Sequence, residues 1–185
     1  MTDTIERHVE VPADGGARNT RRQNAEHGFV APKSLTDDLQ AVLVDLIELH
    51  IQGKQAHWNV VGKNFRDLHL QLDEIVDAAR EFSDTVAERL RALHAVPDGR
   101  SDTVAATTTL PEYPNGEILT TDTVDLITQR IEATVGRIRE VHDDVDDADP
   151  TSADILHAII ERLEQLAWMV SAENRTPSGS RGGKR

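Results

Sequence analysis

The 185-residue chain carries 33 Asp and Glu against 20 Lys and Arg, and a net charge of -13 disfavours contact of its surface as a whole with nucleic acid or anionic membranes. It has no cysteine, which excludes disulfides, thiolate zinc sites and thiol catalysis, and its two Trp, one Tyr and three Phe are too few for a broad base-stacking platform. No apolar run approaches the ~20 residues that span a bilayer, and the opening MTDTIERHVEVP does not read as a signal peptide, so a cytoplasmic protein is expected and any metal must be held by His, Asp and Glu.

Residues 1–33 lack helical periodicity, contain Pro12, Gly15, Gly16 and Pro32, and are predicted to be a flexible arm with balanced charge. A first helix is predicted from Ser34, with Asp37 three residues on as a capping-box-like start. Leu35, Leu39, Val42, Leu43, Leu46 and Leu49 form its 3.6-residue stripe, and Gly62 is expected to end it near Val61. A second helix is predicted from about Asn64 to Leu93, on the stripe Leu68, Leu72, Ile75, Val76, Ala79, Phe82, Val86 and Leu90. The connection 96–119 is longer than the ~15 residues usual inside a compact domain, with one short helix expected at Ser101 to Thr107. A third helix is predicted from near Thr121 through Val141, ended by the acidic run Asp143 to Asp149. A fourth is capped near Thr151 or Ser152 and uses Ile155, Ile159, Leu163, Leu166 and Val170. Residues 174–185 read as a flexible basic tail, and no strand is expected. The fold class is therefore all-α: a four-helix bundle over 34–173 whose long connection between the second and third helices is the ferritin-like topology.

The second helix carries the chemistry. With His69 at 0° and ~100° per residue, Asp73 lies at ~40°, Asp84 at ~60° and Glu88 at ~100°. Taken singly, each is more commonly a solvated surface residue; together they form two i,i+4 pairs on one narrow face beside the core stripe. Asp73 and Asp84 are eleven residues apart, or ~16 Å along the axis, so the pairs cannot share an ion within one chain, given metal–oxygen bonds of ~2.0–2.6 Å. An antiparallel two-fold copy would bring Asp84 and Glu88 of one chain to His69 and Asp73 of the other. Its axis would pass near Ala78 and Ala79, and Asp77 and Arg80, symmetric about that point, are expected to pair between subunits. The Glu-x-x-His motifs of an intra-chain di-iron bundle are missing; Asp154-x-x-His157 is the nearest match. Imidazole with carboxylates suits iron, zinc or manganese.

The segment His57-Trp58-Asn59-Val60, then Gly62, Phe65, Leu68-His69, Leu72-Asp73-Glu74, Asp84 and Ala87-Glu88-Arg89, resembles the Dps family of small ferritin-like proteins, in particular its mycobacterial members. Thr151 to Leu156 and Leu166-Ala167-Trp168-Met169 extend the resemblance over residues 34–173. It implies a hollow dodecamer of 23 symmetry that oxidises Fe(II), preferably with hydrogen peroxide, and stores ferric mineral. It also implies catalytic and metal-binding residues His57, His69 and Asp73 from one subunit, with Asp84 and Glu88 from its two-fold partner. The placement of His57 comes from the resemblance alone.

Trp58 and Trp168 are more commonly buried packing residues, and a sharper role for Trp58 is as a radical sink beside the iron. The acidic run is either a solvated helix end or, with Asp147, Asp149 and Asp154 repeated about a three-fold axis, an iron-uptake pore. His50 is expected in the core or at an interface, and His94, His142 and His157 carry no constellation. Arg175, Arg181, Lys184 and Arg185 follow the last acid, Glu173. Twelve such tails would bind DNA without sequence preference by multivalency, whereas a single tail would solubilise more than it binds. If the tail is not responsible, Arg18, Arg21 and Arg22 of the arm are the candidates.

Division of the charge sharpens the first inference. The arm is neutral, the tail carries +4 and the bundle -17, so the acidity belongs to the body and DNA contact falls to the exposed ends, in the cytoplasm and nucleoid. The rival readings are a structural nucleoid protein whose metal site is vestigial or holds zinc, and a monomeric bundle with no cage.

Overall fold

The structure, a computed structural model, describes residues 29–177; the expectations for residues 1–28, Arg181, Lys184 and Arg185 lie outside them. Residues 31–177 form one compact unit. Its elements are α1 (Lys33–Asn59), β1 (Val60–Val61), α2 (Phe65–Ala92), α3 (Ser101–Thr107), β2 (Ile118–Leu119), α4 (Thr120–Ala148) and α5 (Pro150–Ser171), followed by a 3-10 turn at Ala172–Asn174.

Helices α1 and α2 pack as one long pair and α4 and α5 as the other, and α1 against α4 and α2 against α5 close the bundle. The predicted stripes face inward. Leu39, Leu46 and Leu49 of α1, Leu72, Ile75 and Ala79 of α2, Ile127, Ile131 and Ile138 of α4, and Ile159, Leu163, Leu166 and Val170 of α5 are all buried, whereas Ile155 is only half-buried and its neighbour Leu156 fills the core instead. Burial of each large aliphatic side chain contributes about 1.5–3 kcal/mol.

The long connection is ordered by side chains that the helices aim at it. Asp45 accepts hydrogen bonds from the Thr108 hydroxyl at 2.9 Å and the Thr109 amide at 2.8 Å. Gln40 and Asp98 exchange two hydrogen bonds. Arg130, fully buried on α4, donates to Gln52 Oε1 at 2.8 Å and to the Glu112 carbonyl at 2.7 Å, with its guanidinium 5.2 Å from the centre of the Tyr113 ring. A buried cation is tolerable only when its donors are satisfied in this way.

Several boundaries differ from expectation. Ser34 does not cap α1. The helix starts directly after Pro32, and Asp37 pairs with the Lys33 ammonium instead. The first helix ends at Asn59, because Val60 and Val61 pair in parallel with Ile118 and Leu119 to make a two-stranded sheet. Gly62, at φ 121°, turns the chain from this sheet toward α2, a conformation that favours glycine. The acidic run does not end α4. Val145 is buried in register with Ile138 and Val141, so the helix continues to Ala148 with Asp143, Asp144, Asp146 and Asp147 facing outward. Pro150 ends it: it opens α5 and holds Asp149 extended (φ -159°, ψ 90°) as the cap residue, in place of Thr151 or Ser152. Trp58 and Trp168, expected to be buried, are 69% and 62% exposed in the single chain.

Candidate metal centre

The end of α1 and the beginning of α2 bring His57, His69 and Asp73 together, with one potential ligand atom from each within 4.8 Å of the others. Close helix packing makes this possible. A Cβ on Gly53, one turn before His57, would lie only 2.9 Å from Val76 Cγ2, so glycine allows α1 to lie tight against α2. The imidazoles of His57 and His69 stack with centroids 3.6 Å apart, and Phe65 packs 5.1 Å from His69.

Hydrogen bonds set the chemistry of each ligand. His69 Nδ1 lies 3.0 Å from the His57 carbonyl. A carbonyl can only accept, so His69 donates from Nδ1 and its Nε2 keeps a lone pair. His57 Nε2 lies 3.0 Å from Asp73 Oδ2, while His57 Nδ1 is buried without a partner. Burial is the main force holding the His57 pKa below its usual value, with the nearby charges of His69 and Lys54 adding to it and Asp73 opposing. The neutral imidazole is the form that binds metal, so this shift favours binding.

Lys54, which the sequence reading passed over, completes the cluster. Its Nζ donates to Asp73 Oδ1 at 2.6 Å and is the main reason the Asp73 carboxyl is held below the usual carboxylate range. The spacing Lys54-x-x-His57, which puts both residues on one helix face, was the available signal.

Asp84 and Glu88 are exposed farther along α2, and neither joins this cluster within the chain. Asp84 lines an open cleft of about 680 Å³ with Asp77, Arg80, Glu81 and Ser83, walled by Leu43, Ile47 and His50 of α1. Asp77 and Arg80 are exposed and form no ion pair among the described residues. His50 is half-buried in the cleft wall, and burial, with Arg80 and Lys54, lowers its pKa.

The three acids proposed for a pore are separated. Asp147 and Asp154 are exposed. Asp149 is turned inward, where Arg89 Nη2 and the Ser152 hydroxyl both donate to its Oδ2 and Arg89 Nε donates to Ser152 Oγ at 3.0 Å. The pair ties the start of α5 to α2 beside Glu88. Arg175 is exposed just beyond the 3-10 turn.

Comparison with known proteins agrees with this architecture. The ferritin-like domain family matches residues 36–176. A DNA protection during starvation protein of Deinococcus radiodurans is 35% identical over 76% of the chain, and the chain spans 58% of that protein's length. The solved structure of Mycobacterium smegmatis Dps superposes with a TM-score of 0.76 at 28% identity, covering 82% of this chain and 90% of the other. The chain belongs to the ferritin-like family, in its Dps branch. A further relative, the fine tangled pili major subunit of Haemophilus ducreyi, is 35% identical over 88% of each chain. Among the described residues no helix is long and apolar enough to cross a membrane.

Proposed function

We propose that this chain is a ferroxidase and iron-storage subunit, and that its catalytic centre is assembled between two copies. The observation that carries the reading is the open His57–His69–Asp73 cluster, three groups of a carboxylate–imidazole site, of which His69 and Asp73 share α2 with the exposed Asp84 and Glu88. A two-fold pairing across the cleft of Asp77 and Arg80 would complete each cluster with Asp84 and Glu88 of the partner, and Asp77 would meet Arg80 across the axis.

In such a centre iron is the substrate. The lone pairs of His57 and His69 and the carboxylates of Asp73, Asp84 and Glu88 hold Fe(II) where an oxidant reaches it, and the added negative charge favours the Fe(III) product. With hydrogen peroxide the balance is complete. Two Fe(II) give up one electron each, the O–O bond breaks, and two protons complete two waters.

Twelve copies in a hollow cage of 23 symmetry would hold the mineral. Asp147 and Asp154 support uptake through a three-fold pore better than Asp149 does, because Arg89 already neutralises the latter. DNA contact without sequence preference is assigned to the basic tail, of which Arg175 is the described member, and the protein to the cytoplasm and nucleoid.

Anaerobic Fe(II) mixed with hydrogen peroxide should be oxidised at two irons per peroxide, and Asp84→Ala with Glu88→Ala should abolish this. The assignment between subunits has its own test. Subunits carrying Asp84→Ala and Glu88→Ala, reassembled with subunits carrying His57→Ala and Asp73→Ala, should regain part of the activity, because some interfaces then hold one intact centre. No recovery in the mixed assembly would refute it. The rival, a nucleoid protein with a zinc-filled or vestigial site, draws on Lys54 already neutralising Asp73; peroxide-dependent Fe(II) oxidation would eliminate it.

A further inference from the structure

The two histidines that the sequence leaves without partners meet in the fold. His142, near the end of α4, and His157, in the second turn of α5, place their Nε2 atoms 2.7 Å apart, with ring centroids 4.5 Å apart and planes inclined by 37°. Each ring has a carboxylate at its other nitrogen. Asp143 Oδ1 is 3.1 Å from His142 Nδ1, and Asp154 Oδ1 is 3.8 Å from His157 Nδ1. The chain Asp143–His142–His157–Asp154 crosses the junction of α4 and α5. The His142 side chain is 20% exposed and that of His157 60%, so solvent reaches the pair.

From this geometry we infer that His142 and His157 form a second binding site for a first-row divalent transition-metal ion, built within one chain and separate from the His57 cluster. Two imidazole nitrogens converging on one point are the donor set that such ions prefer over calcium or magnesium. A carboxylate at the opposite nitrogen is the arrangement that fixes the tautomer of a metal-ligating histidine and raises its basicity.

The proton inventory is consistent. If His142 donates from Nδ1 to Asp143, its Nε2 is a lone pair, and His157 must donate from Nε2 to make the contact. A metal ion replaces that shared proton. His157 moves its proton from Nε2 to Nδ1, on the side where the Asp154 carboxylate lies 3.8 Å away, and both Nε2 lone pairs then face the ion. At a tetrahedral centre with bonds of ~2.0–2.1 Å the two nitrogens sit about 3.3 Å apart. The two nitrogens need to move apart by about 0.6 Å, which partly exposed side chains allow. Waters complete the coordination. The exposed Asp144, Asp146 and Asp147 on the same end of α4 add a negative field that concentrates cations there.

Zinc alone is the probe, since its binding needs no oxidant and is independent of ferroxidation. A full-length variant carrying His57→Ala, His69→Ala and Asp73→Ala, with size and far-UV circular dichroism checked, should retain one zinc per chain in equilibrium dialysis. Adding His142→Ala and His157→Ala should remove that equivalent, and Asp154→Asn alone should weaken binding about tenfold. Cobalt at the same site should give visible absorption bands that vanish with the two histidines. Zinc retention unchanged by loss of both histidines, or no zinc retained by the first variant, would overturn the inference.

Discussion

Lys54 and Asp73 form an ion pair inside the candidate metal centre, Nζ to Oδ1 at 2.6 Å, bridging α1 and α2. The same carboxylate holds His57 Nε2 through its other oxygen. An incoming divalent cation must therefore displace an ammonium as well as water. Lys54→Met keeps most of the aliphatic stem and deletes the competing charge. Metal affinity at this centre should rise roughly tenfold, because the carboxylate no longer shares its negative charge with the ammonium. Cobalt titration by calorimetry reads it, and an unchanged or weaker affinity would mean that Lys54 helps to build the site instead.

Gly53→Ala should be destabilising even though alanine is the better helix former by about 1 kcal/mol. The new Cβ would sit 2.9 Å from Val76 Cγ2, a short branched side chain in the packed α1–α2 seam, so the helices must separate. Such overpacking costs about 1–3 kcal/mol. Separation would also move His57 from His69 and lower metal affinity. Chemical denaturation measures the first effect, and Val76→Ala in the same chain should restore both stability and binding.

Asp149 gives the fold an acid-sensitive anchor. Burial works to raise its pKa, but the Arg89 and Ser152 hydrogen bonds prevail and hold it below the usual carboxylate value of 3.8. A carboxyl depressed in the folded state adds stability that is full above the unfolded value and lost as pH falls through the folded one. Asp149→Asn should cost about 2–3 kcal/mol at neutral pH, since it leaves the largely buried Arg89 without its anion. It should also make the loss of stability below pH 4 shallower. Denaturant midpoints at pH 7 and pH 3.5 would show whether the two proteins converge in acid, as this requires.

Periodicity made the bundle legible, because a stripe such as Leu68, Leu72, Ile75 and Ala79 has one use on a helix. Local signals were weaker where tertiary pairing outweighed them. Gly62 marked a real turn, yet Val60 and Val61 left the helix before it to pair with Ile118 and Leu119. The acidic run looked like a terminator because charge hid the continuing apolar register at Val145. Spacing along one helix put His69 and Asp73 on one face, and the resemblance added His57, the three side chains that the fold brings together. It could not find His142 with His157, which lie on different helices and meet only after α5 folds back on α4.

Trp58 lies beside His57 with 69% of its surface exposed, and Phe65 at 43% and Ile51 at 47% are also uncovered on the two helices that carry the centre. If copies pair over this face, Trp58 should pass from water into an apolar contact on assembly. In a Trp168→Phe chain, which leaves Trp58 as the only indole, emission should shift to shorter wavelength as the oligomer forms on raising protein concentration. Ferrous or cobalt ions should then quench it, as the proposed ligand role of the neighbouring His57 requires. Emission that stays red-shifted in a confirmed oligomer would place Trp58 outside the interface. A radical-sink role makes a further demand: Trp58→Phe should leave the rate of Fe(II) loss unchanged yet increase DNA strand breaks under Fe(II) and peroxide. Equal breakage in the two proteins would remove that role and leave Trp58 as a packing residue between subunits.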